Sequence, residues 1–177
     1  MDFEILKQQI ETAAKQAFLE LYKKHGAENI YSFALYSDEG AMTVCPSANT
    51  LETLKGMDEE AATYYKYEPA EWMYEMQGAE DGFNDICTQL REELERNEDN
   101  DEWFNDFQTK LYSTCIGVLE KLKNENFFKN IIGKDIFLIF TVSDYEFEKK
   151  DLKDIIIRLN DNEYKDEYLE WMDTWGN

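Results

Sequence analysis

Nucleophilic catalysis needs a serine or cysteine within hydrogen-bond reach of a base, and this chain has one histidine, His25, and three cysteines, Cys45, Cys87 and Cys115. A Cys45/His25 dyad is the pairing to weigh. A small cysteine in an apolar strand and a histidine at a helix end account for both residues without catalysis. Metal chemistry has as little to work with. There is no Cys-x-x-Cys pair, the single histidine rules out a His/Cys cluster, and Asp99-Asn100-Asp101 lacks the following glycine of a calcium loop. The glycine patterns that cradle phosphates or dinucleotides are missing. Carboxylates are too abundant for any pair of them to mark acid/base chemistry. The residues therefore predict no catalytic group, no metal and no cofactor.

What the chain does supply is acid interleaved with large aromatics. The formal net charge is -21, with 18 basic residues against 39 acidic ones. Acidic residues are opposed by Lys66 alone between Met57 and Asp85, by Arg96 alone between Glu92 and Asp106, and by Lys165 alone between Asp161 and Asp173. Tyr64, Tyr65, Tyr67, Trp72, Tyr74, Trp103, Trp171 and Trp175 are set among them, and tyrosine and tryptophan are the side chains that anchor protein interfaces. Acid plus aromatics points to a surface for a basic protein. The candidate contact residues are Glu68, Glu71, Trp72, Tyr74 and Glu75 in one segment, and Glu98, Asp99, Asp101, Glu102 and Trp103 in another. Nucleic acid and anionic membranes are poor partners for such a charge. Two other readings stand beside this one: an enzyme or ligand-binding domain with a pocket near Cys45, Glu71 and Trp72, and a general acidic adaptor. For any one residue, the plain alternative is an aromatic in the core and a carboxylate in solvent.

These residues must be held by a folded body, because an apolar share of 43% is too high for a disordered chain. One domain over residues 1–177 is expected from the length and from the lack of a Pro-, Gly- or Ser-rich linker. The scattered cysteines fit a reducing cytoplasm, and neither a leader nor an apolar run of membrane-spanning length is visible.

The predicted fold is α+β: a small mixed or antiparallel sheet of three to four strands with a central β-hairpin, covered by amphipathic helices. The hairpin is placed at Ile30 to Ser47, with strands at Tyr31–Tyr36 and Met42–Cys45 and a turn in which Gly40 takes positive φ. An opening helix over residues 2–24 should end in a left-handed Gly26. A short helix after Thr50 is stopped by Gly56. Tyr64–Tyr67 reads as a short strand, and Pro69 suits the first turn of a helix. Helices over 79–96 and from Asp101 to Lys123 should pack antiparallel. Ile136–Val142 reads as a strand buried on both faces beside the hairpin. Asp144 is placed as the cap of the helix that follows, and Tyr164, Tyr168, Trp171, Met172 and Trp175 form the inner face of a last one.

Three stretches carry a resemblance: Phe33-Ala-Leu-Tyr-Ser-Asp38, Thr43-Val-Cys-Pro-Ser-Ala-Asn-Thr50 and Tyr67-Glu-Pro-Ala-Glu-Trp-Met-Tyr-Glu75. In this order and over the whole length, the chain resembles the bacterial domain-of-unknown-function 4303 family. That resemblance implies no catalytic residues. It implies a likeness in size and genomic setting to the immunity proteins of polymorphic toxin systems, and hence a cytoplasmic partner that is a toxin domain, basic if it is a nuclease.

Overall fold

The computed structural model describes residues 1–143 and 147–175. Its centre is a three-stranded mixed sheet of β1 (Ile30–Asp38), β2 (Cys45–Thr50) and β3 (Phe137–Ser143), in the order β2-β1-β3. The α+β expectation holds, with β1 antiparallel to β2 and parallel to β3. Around the sheet lie α1 (Phe3–His25), α2 (Glu59–Tyr67), α3 (Glu80–Glu95), α4 (Asp101–Asn124), α5 (Phe127–Ile132), α6 (Lys149–Leu159) and α7 (Glu163–Asp173). Asp144, expected to cap α6, lies outside the described residues.

Strand alternation sends side chains to two separate cores. Phe33 and Leu35 of β1 join Leu138 and Phe140 of β3 under α1, α3 and α4. On the opposite face Ala34, Phe137 and Ile139 meet Tyr67, Trp72, Tyr164, Tyr168 and Met172, joined by Tyr31, which the irregular register between Ile30 and Ser32 turns to that side. Both edges of the sheet are also covered, which removes the unpaired ladders that invite aggregation. At the β2 edge, Ala48 and Tyr74 exchange both backbone hydrogen bonds, and the Met76 N–H donates to the Pro46 carbonyl at 2.8 Å. Pro46 loses no ladder bond, because its missing N–H points to that outer edge. At the β3 edge, the buried Asn160 side chain accepts from Leu138 N at 2.8 Å and donates to Leu138 O at 2.7 Å.

Several expectations need correction. The second hairpin strand runs over Cys45–Thr50 rather than Met42–Cys45. Asp38 is the cause: its carboxylate accepts from Met42 N and Thr43 Oγ1, and Ser37 Oγ donates to Thr43 O, so residues 39–44 are held as a loop. Positive φ falls on Ala41 at 54°, not on Gly40. The helix α1 does not end in a left-handed glycine either. Gly26 has φ -57° and opens a 3-10 turn that ends in Asn29 at φ 61°. A Cβ at 26 would stand 2.8 Å from the ring of Tyr22, an exposed side chain that would have to turn aside. Tyr64–Tyr67 closes α2 instead of forming a strand; Asp58 caps that helix through Ala61 N, and burial of Tyr67 fixes it. Finally, α3 and α4 both lean on α1 rather than pairing mainly with each other.

Candidate functional site

The tight link between α3 and α4 meets the β1–β2 loop at a groove of about 380 Å³. Met42, Leu94, Trp103 and Phe104 supply its apolar lining, and Glu95, Glu98 and Asp101 its carboxylates, with Arg91 the one cation among the lining residues. Met42 is 47% exposed, a large side chain left open to solvent. Helix α4 positions both sides of the groove. Asn100 caps it by accepting from Trp103 N at 2.9 Å, and Trp103 then stacks on Phe107 with ring centres 4.8 Å apart. One turn further, Gln108 donates to Glu39 O at 2.7 Å and Tyr112 to Asp38 O at 2.9 Å, which holds the β1–β2 loop against the helix. Asp101 and Glu102 occupy the first turn of α4, where the helix dipole favours negative charge, so they help the helix as well as the surface.

Of the candidates in the second segment, the structure thus gathers Glu98, Asp101 and Trp103 at one groove, with Asp99 exposed on the link and Glu102 exposed on the first turn of α4. The segment from Glu68 to Glu75 is arranged differently. Trp72 is buried in the second core and donates its Nε1–H to Lys66 O at 3.2 Å. Tyr74 is buried too, its ring stacked on His25 at 4.2 Å and its hydroxyl donated to Glu28. Burial and the Glu28 carboxylate push the Tyr74 phenol up to about 12. Glu71 and Glu75 are exposed, and Glu75 accepts from Tyr36 Oη at 2.9 Å. Glu68 is half-buried, and that burial raises its carboxyl above the ordinary range.

His25 and Cys45 have separate partners. The histidine Nδ1 lies 2.8 Å from Glu28 Oε1, while Cys45 is buried beside Cys87, whose Sγ donates to Val44 O at 3.6 Å. The Cys45–Cys87 pair joins β2 to α3, and the neighbouring Cys45 thiol lowers the pKa of Cys87 while Cys87 and burial raise that of Cys45. Spacing along the chain carries no sign of that pair. Leu94 and Phe104 are legible in the sequence only as members of helical faces, and their role in the groove comes from the loop that folds over them.

The family model for a domain of unknown function, DUF4303, matches residues 10–161. The chain belongs to that family. In this DUF4303 member the match takes in all three strands and the whole groove and stops short of α7. No curated protein and no solved structure matches the chain. Among the described residues, no helix is long and apolar enough to cross a membrane.

Proposed function

We propose that this protein is a bacterial immunity protein, which binds a basic toxin domain in the cytoplasm and neutralises it. The groove between the α3–α4 link and the β1–β2 loop carries the reading. Exposed Met42 and half-buried Trp103 and Phe104 offer apolar anchorage, and Glu95, Glu98 and Asp101 surround them with one sign of charge. A nuclease toxin needs a basic surface to hold phosphate, and that surface is what an acidic groove complements. The net charge of -21 adds a long-range field that speeds encounter with such a partner.

The test is co-expression with the product of the neighbouring toxin gene. Cells should survive, and the two proteins should co-purify at low salt and separate more readily as salt rises. Failure to protect the cells, together with no complex at low salt, would reject the reading.

A further inference from the structure

On the sheet face opposite α1, helix α7 and the segment after α2 enclose a cavity of about 540 Å³. Five aromatic side chains, Tyr67, Phe147, Tyr168, Trp171 and Trp175, line it together with the polar Glu68, Thr141, Glu148 and Lys149. Trp171 lies stacked on Tyr67 with ring centres 5.8 Å apart, and Trp175 stands at 90° to Trp171 at 4.9 Å and at 74° to Tyr168 at 6.2 Å. Tyr67, Tyr168, Trp171 and Trp175 thus line one hollow with their ring planes at several angles, and the electron-rich face of an aromatic ring attracts a cation. Glu68 lines the same cavity. It accepts a long 3.4 Å hydrogen bond from Ala70 N, and among the described residues no cation pairs with it.

The molecule already uses this combination of groups once. Lys66 Nζ lies 5.3 Å from the Tyr67 ring centre and 5.1 Å from that of Tyr164, and it pairs with Glu167 at 2.6 Å. Glu167 therefore has a cation held against tyrosine, whereas Glu68, beside the same Tyr67, has the aromatic surroundings and the carboxylate only. The remaining charges on the cavity lining are Glu148 and Lys149, exposed and of opposite sign.

We propose that this cavity binds a small organic cation with an alkylated ammonium head, its charge against the tryptophan faces and Glu68 as its counter-ion. A bare metal ion would surrender its hydration beside five aromatic rings, and a guanidinium would have to aim five N–H donors at the separate acceptors of Glu68, Thr141 and Glu148. Alkyl groups on the nitrogen remove both costs. The site shares no lining residue with the acidic groove, and its Tyr168, Trp171 and Trp175 lie beyond the span matched by the family.

Choline is a suitable probe, titrated into the full chain while the tryptophan indole N–H signals are followed by NMR. The neutral isostere 3,3-dimethylbutan-1-ol and sodium chloride at matched ionic strength serve as controls. Saturable shifts at Trp171 and Trp175, with Trp103 unmoved, are expected. The isostere should bind about tenfold more weakly. Glu68→Gln should bring choline down to the level of the isostere, and Lys149→Ala should bind choline at least as well as the native chain. The proposal is overturned if sodium chloride reproduces the shifts, if the isostere binds as tightly as choline, or if Glu68→Gln binds choline normally.

Discussion

Asn160 does with one carboxamide what a fourth strand would do, pairing with both backbone groups of Leu138 at the outer edge of β3. It is 1% exposed, so removing it leaves a buried N–H and a buried C=O with no water to replace the amide. Asn160→Ala should therefore lower stability by about 3 kcal/mol in urea unfolding, since each orphaned group costs roughly 1–3 kcal/mol. Nothing in the sequence distinguishes this asparagine from its neighbour Asn162, because the reason for it is an edge that exists only after β3 has paired with β1. The same limit applies to the tryptophans. Trp72 and Trp103 both sit among carboxylates in sequence, yet the first turns into the second core and the second is half-exposed at the groove.

Elements with strong periodicity were the legible part of the fold: α1, α3, α4 and β3 lie within a residue or two of where their apolar spacing puts them. Elements decided by side-chain capping were not. Asp58 turns Tyr64–Tyr67 into the end of a helix, and Asp38 delays β2 until Cys45. Two glycines separate local preference from packing in a testable way. Gly78 has φ 90°, and a Cβ there would stand 2.8 Å from Ala17 Cα, so Gly78→Ala forces the chain away from α1. A loss of roughly 3 kcal/mol is expected, strain and overpacking together. Gly117 is in the middle of α4, where an added methyl would meet nothing within 4 Å, and Gly117→Ala should gain up to about 1 kcal/mol. Thermal melts of the two variants should move in opposite directions.

At the scale of the molecule, a charge of -21 on one folded chain sets carboxylates against each other. Added sodium chloride should raise the melting temperature as it screens that repulsion, an effect most visible below about 0.15 M. The acidity was plain in the sequence. Which acids converge was not, because the groove joins residues from the β1–β2 loop to residues some fifty positions later at the α3–α4 link. The central claim is that this groove receives a basic toxin domain. Glu95→Lys/Glu98→Lys reverses two of its charges near the carboxyl end of α3, where lysine suits the helix dipole and the fold should keep its stability. Calorimetric titration of the toxin domain proposed as its partner, at fixed low salt, is the decisive measurement. The double variant should bind roughly 100-fold more weakly than the native chain, the scale set by facing like charges. An unchanged affinity, with the complex intact, would contradict the assignment of the groove.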